Sequence, residues 1–194
     1  MNLDLKGKSV LVTGGNRGIG LEIALAFAEE GANVVVCGRD EVALAEADAK
    51  IAAKGVKARA VVADLFTAAG CQAAVAAPVE AFGGLDILVN NASTAVSGNI
   101  ETLNDEQLME RLNGKTLAYM RCCRAALPHL RKSPSGRVIC IGGTASRTAG
   151  DTALPSALGN SAISAFVKQF STMVAGQGIT ANVVQSTKLN VWSA

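Results

Sequence analysis

Along this chain, short runs in which almost every residue is apolar alternate with longer stretches in which apolar residues return every three or four positions. The runs are SVLVTG (9–14), NVVVCG (33–38), ARAVVADL (58–65), LDILVNN (85–91), GRVICIGG (136–143) and GITANVVQ (178–185). Val and Ile in sequence, without polar alternation, mark strands covered on both faces, the environment of a parallel sheet. Between them, helical periodicity predicts helices over 19–30, 41–54, 68–82, 104–131 and 155–175. Regular alternation of strand and helix predicts right-handed crossovers and an α/β fold. The expected architecture is a Rossmann-type, doubly wound parallel sheet in the order 3-2-1-4-5-6 with helices on both faces.

No linker, repeat or low-complexity tract interrupts this pattern, and residues 1–194 read as a single domain large enough to bury about 70% of its unfolded surface. The chain is 49% apolar and 18% charged, with a net charge of +2 and no basic run or stripe with interleaved aromatics, so nucleic acid is not an expected partner. The five cysteines form no C-x-x-C pair and no metal-ligand grouping. Free buried thiols, a reducing cytoplasm and no metal are therefore expected. The start lacks the pattern of a signal peptide and no apolar run reaches membrane-spanning length, which predicts a soluble protein without a membrane partner.

Chemistry enters at TGGNRGIG, residues 13–20, where the first strand runs into a helix. Gly14, Gly18 and Gly20 allow a tight turn and a close backbone approach, so that a pyrophosphate can sit at the helix N-terminus, with Asn16, Arg17 and Ile19 of the same loop also expected to bind the cofactor. Where an NAD site usually carries an acidic residue at the end of the second strand, this chain has Cys37-Gly38-Arg39. Arg17 and Arg39 could flank a 2′-phosphate, which predicts NADP(H) as the cofactor, with Asp40 as the dissonant neighbour.

TGGNRGIG, the ADL at 63–65 and LDILVNNAS at 85–93 together resemble the short-chain dehydrogenase/reductase family over essentially the whole chain. The resemblance implies that Asp64 and Leu65 meet the adenine, and that Asn91 and Ala92 pin the fourth strand beside the cofactor ribose. Read without it, Asp64 could be a helix N-cap and Asn90-Asn91 turn residues. It also implies hydride transfer between nicotinamide and a small carbonyl or alcohol. The family's usual proton machinery is a tyrosine, a lysine four residues later, a serine on the fifth strand and a helical asparagine.

Here that machinery is replaced. Aligned to the family pattern, Gly143 stands at the serine, Ser156 at the tyrosine and Asn160 at the lysine, and counting back from Pro128 puts Lys115 at the asparagine. Lys115 and Asn113 differ by about 200° around a helix, and Lys115 and Tyr119 share the apolar face with Leu108, Leu112, Cys122, Ala126 and Leu130. Lys and Asn have thus changed places between two helices. Lys115, Tyr119, Ser156 and Asn160 become the candidate catalytic set. The residues alone also allow Lys115 to snorkel and Tyr119 to be core packing.

Two functions follow: an NADP(H)-dependent reductase or dehydrogenase with a rearranged proton relay, or a catalytically inactive, cofactor-binding or oligomer-forming family member. The family's Pro-Gly turn and substrate-covering segment have no counterpart after residue 185, so the substrate segment reads as incomplete. His129 reads as a surface or capping residue, and Trp192 as cover for an apolar edge. A homodimer or homotetramer is expected, because Leu158, Ala162, Ile163, Phe166, Val167 and Phe170 make one helix more apolar than a single buried face requires.

Overall fold

The computed structural model describes residues 3–148 and 150–186. Six strands, β1 (Ser9–Thr13), β2 (Asn33–Gly38), β3 (Ala58–Val62), β4 (Ile87–Asn90), β5 (Arg137–Gly143) and β6 (Thr180–Ser186), form one parallel sheet in the order β3-β2-β1-β4-β5-β6. The order is the expected one. The register follows the apolar runs: Leu11 lies between Val35 and Leu88, and Val12 between Val36 and Val89. All five residues of β1 are buried, whereas the edge strands β3 and β6 are partly exposed. This is the burial gradient of a sheet covered at its centre and open at its sides.

The helices are α1 (Gly18–Glu29), α2 (Glu41–Ala52), α3 (Ala68–Phe82), α4 (Asp105–Arg111), α5 (Ala118–Leu130) and α6 (Leu154–Val174). Two cores result, one on each face of the sheet. Val10, Val12, Val34 and Val36 pack with Ala24 and Ala28 of α1 and Leu44 and Ile51 of α2. Leu11, Val35 and Leu88 pack on the other face with residues of α3, α5 and α6, including Tyr119, Ile163 and Phe170. Alanine at the helix contacts lets the layers approach closely, so burial is achieved with few aromatics. All five cysteines are buried free thiols. No helix among the described residues is long and apolar enough to cross a membrane.

The expected single helix over 104–131 is corrected to α4, a π-helical turn at Leu112–Leu117, and α5. A capping box starts it, with the Asn104 side chain accepting from Gln107 N–H and the Gln107 side chain accepting from Asn104 N–H. The wide turn centres on Gly114, where an added Cβ would lie 2.5 Å from Thr94 Cγ2 and 2.7 Å from Phe66 Cζ. The loop after β4 therefore presses into the helix where only glycine leaves room. Apolar spacing carries no mark of such a turn, because it changes the phase by one residue and breaks nothing else.

Candidate active site

At the carboxyl end of β1 the chain reverses into α1. Gly14 has φ +63°, and an added Cβ on Gly20 would lie 2.2 Å from the Gly14 carbonyl oxygen. The Asn91 amide donates to the carbonyls of Thr13 (3.0 Å) and Gly14 (3.2 Å), while Thr13 Oγ1 accepts from the N–H groups of Asn91 (2.9 Å) and Ala92 (3.2 Å). Asn91 and Ala92 thus hold the glycine turn. Asn16 reaches the end of β2, where its Oδ1 would be 2.9 Å from a Cβ on Gly38. At the N-cap of α1, Arg17 offers no side-chain hydrogen bond, and the first turn carries no acidic residue. The first-turn N–H groups and the positive end of the helix dipole remain for an anion, so this cradle fits a dinucleotide pyrophosphate.

Arg17 and Arg39 are both exposed, and the Arg39 guanidinium lies 5.7 Å from the centre of the Phe66 ring. Asp40 is committed to capping α2, where it accepts from Ala43 N–H at 3.1 Å. Asp64 does not cap α3. Its carboxylate accepts from Phe66 N–H at 3.1 Å, and the cap is Thr67. Leu65 turns its side chain into the core, which leaves its backbone as the part that can face a nucleotide.

Between the end of β4 and the start of α6 the structure brings together Lys115 and Asn160, two residues 45 apart in the chain. Lys115 Nζ donates to Asn160 Oδ1 at 2.8 Å, and both residues are buried. An added Cβ at Gly143 would lie 2.9 Å from Asn160 Nδ2. The amide thus occupies the side of β5 where a serine would project, so Lys115, Asn160 and Gly143 form one mutually fitted set. Burial and the neighbouring charge of Arg111 lower the Lys115 pKa from 10.5 to about 8. Asn113 faces away from Lys115's partners and accepts from Arg121 at 2.6 Å.

The expected pairing of Lys115 with Tyr119 is corrected. Tyr119 is 1% exposed within the core, its hydroxyl donates to the Ile141 carbonyl at 3.0 Å, and burial raises its pKa well above 10. Its phenol is a packed structural group with its proton already placed.

Sequence reasoning missed Arg111. This side chain is 6% exposed, donates to Ser93 Oγ at 2.7 Å and to the Thr94 carbonyl, and reaches Ser156 Oγ at 3.3 Å. Ser156 thus meets a guanidinium. Neither Arg111 nor Lys115 pairs with a carboxylate among the described residues. The available signal was spacing: Arg111 precedes Lys115 and Tyr119 at four-residue intervals on the buried face. Arginine is usually exposed, which hides that pattern. An open hollow of about 500 Å³ lies between Asn99–Ile100 and Ser146, Arg147, Asp151, Leu154 and Ala157, the last two flanking Ser156 in the chain.

The model of the short chain dehydrogenase family matches residues 8–191. The chain is 35% identical over 185 residues to the uncharacterized oxidoreductase YhxC of Bacillus subtilis, covering 93% of this chain and 63% of that protein. It is 34% identical over 185 residues to the rhamnolipids biosynthesis 3-oxoacyl-(acyl-carrier-protein) reductase of Pseudomonas aeruginosa, covering 93% of this chain and 72% of that one. The chain thus spans about three fifths of YhxC. Among solved structures, a Burkholderia cenocepacia short chain dehydrogenase in complex with NADP superposes with a TM-score of 0.89 at 33% identity, over 93% of this chain and 74% of that one. The NADH-dependent reductase A1-R′ complexed with NAD gives a TM-score of 0.91 at 30% identity, over 98% and 82%. With the strand order, the glycine cradle and the Asn91 clamp, these matches show that the chain belongs to the short-chain dehydrogenase/reductase family.

Proposed function

We propose that this chain is an NADP(H)-dependent oxidoreductase acting on a small carbonyl or alcohol, with Lys115 in place of the family's tyrosine as proton donor and acceptor. The observation that carries this reading is the buried 2.8 Å hydrogen bond from Lys115 to Asn160. Support for NADP(H) comes from Arg17 and Arg39 at the ribose end, and from Asp40 being held as a helix cap instead of facing a 2′-hydroxyl. The family contains both kinds of cofactor complex, NADP in one neighbour and NAD in another.

NADPH, when bound, would supply the hydride that reduces the substrate carbonyl carbon. In this reading the glycine turn and the α1 N-terminus hold the pyrophosphate, and Asp64, the backbone of Leu65, Asn91 and Ala92 border the nucleoside. As the carbonyl double bond opens, its oxygen takes a proton from Lys115 Nζ, leaving a neutral amine that regains a proton from solvent. Asn160 Oδ1 fixes the direction of Nζ, and a pKa of about 8 makes both protonation states accessible near neutral pH. The Arg111 charge favours the negative charge that develops on oxygen, and Ser156 is positioned through Arg111.

The test is NADPH oxidation against a panel of small aldehydes and ketones. Turnover should fall roughly 10²-fold or more in Lys115→Met, the usual size of a lost acid–base contribution. NADPH binding without turnover of any carbonyl would support the inactive family member instead.

We further propose that the protein self-associates and works in a reducing compartment such as the cytoplasm, which suits five free thiols. On α6, Ile163, Val167 and Phe170 are buried, and Phe166 stacks on Phe170 with 5.5 Å between ring centres. The outward apolar surface is therefore smaller than the sequence implies, and it centres on Leu158 and Met173.

A further inference from the structure

We infer that the substrate carries a carboxylate, and that Arg111 is the residue that selects it; this rests on the oxidoreductase reading above and names its substrate class. Two cations, Arg111 and Lys115, lie four residues apart across the π-helical turn, each 6% exposed, and neither meets a carboxylate among the described residues. Burying one cation is costly and burying two as neighbours more so, unless an anion completes the group. Among the described residues the hydrogen-bond partners of Arg111 are all neutral: Ser93 Oγ, the Thr94 carbonyl and Ser156 Oγ. They leave donors over. Nε is fully buried without a hydrogen-bond partner, and Thr94 Oγ1 is likewise orphaned.

A guanidinium fixed on three sides, with N–H groups unspent, is suited to a planar oxyanion. Its partners place it at the carboxyl end of the sheet: Ser93 and Thr94 follow β4, and Ser156 opens α6. Ligands of open α/β sheets bind at this end. Ser93 is exposed and Ser156 half-buried, so the guanidinium lies directly beneath two side chains that solvent reaches. The pyrophosphate is not the missing anion, since the α1 N-terminus, with its free N–H groups, is the place that fits it. The anion is therefore carried by the molecule whose carbonyl is reduced.

The test uses 2-oxobutanoate, 3-oxobutanoate and 4-oxopentanoate, each against its methyl ester, titrated by calorimetry into the full chain saturated with NADP⁺. At least one acid is expected to bind 10-fold or more tightly than its ester. Arg111→Gln should abolish that preference while leaving NADP⁺ affinity unchanged, and Arg111→Lys should keep part of it, which guards against a variant that fails to fold. Esters binding as tightly as all three acids, no acid binding at 10 mM (about 3 kcal/mol of binding free energy), or a preference that survives in Arg111→Gln would each overturn the inference. The same compounds are then offered with NADPH. An Arg111-dependent acid preference without turnover sustains the anion site and defeats the oxidoreductase reading. Turnover of esters alone does the reverse.

Discussion

Lys115 is the residue at which stability and the proposed chemistry meet. Because burial lowers its pKa from 10.5 to about 8, the unfolded chain binds this proton more tightly than the folded one. Between pH 8 and 10.5 unfolding therefore takes up a proton, and stability rises with pH through that window; below it the full cost is carried, about 3 kcal/mol for a shift of this size. Denaturant unfolding of the wild type and Lys115→Met at pH 7, 8, 9 and 10 should show a gap between the two that changes by roughly 1–3 kcal/mol in the wild type's favour as pH rises. A constant gap would mean that the lysine is not protonated more weakly in the fold. At the ribose end, Arg39→Ala should reduce NADP(H) affinity roughly 10-fold and leave NAD(H) affinity unchanged, because charge-assisted bonds to the 2′-phosphate exist only in the first cofactor. Calorimetry with both cofactors measures this, and equal losses would remove the assignment. Asp40, which sequence alone sets against NADP(H), is explained by its neighbour three residues on: a carboxylate that accepts Ala43 N–H is a helix cap.

At the scale of elements, all six strands were legible in the sequence because they sit in a sheet whose centre is dry on both faces, so nearly every position in β1 had to be apolar. Helices α1, α2, α3 and α6 were legible for the complementary reason: each has one face on the sheet. The break between α4 and α5 was not legible, since the π-helical turn is imposed by Thr94 and Phe66, residues distant in sequence from Gly114. The candidate site was half legible. Counting along two helices reads the exchange of Lys115 and Asn160 but not their contact, and it leaves Tyr119 open between chemistry and packing. Arg111 goes unread, because an arginine suggests solvent; the structure buries both Tyr119 and Arg111. Gly114→Ala should destabilise the fold by about 1–3 kcal/mol, the cost of overpacking a close contact, and should disturb the lysine position more than α1. Thermal unfolding together with NADP(H) titration tests this: lower stability with unchanged cofactor affinity is expected, and unchanged stability would show that the turn tolerates a side chain.

For the whole molecule, the sheet divides the labour. Its β1–β2 side holds the cradle and the two exposed arginines, while a lysine, an arginine and an asparagine gather beyond the ends of β4 and β5, the two cations pairing with no carboxylate among the described residues. Apolar residues on α6 are largely consumed by the core, so association should rest on the row around Leu158 and Met173. Sedimentation at micromolar concentration should show dimers or larger species, and Leu158→Glu should shift them toward monomer; monomer alone in the wild type would contradict this. Lys115 is proposed as the acid that stands in for the family's tyrosine, and the decisive measurement is the pH dependence of kcat/KM for carbonyl reduction at saturating NADPH. The acid must be protonated to act, so the rate should be full below the Lys115 pKa, fall as pH rises through about 8, and lose both this break and roughly 10²-fold of its magnitude in Lys115→Met. A break that persists unchanged in Lys115→Met, or a rate that this substitution leaves intact, would show that another group is the acid.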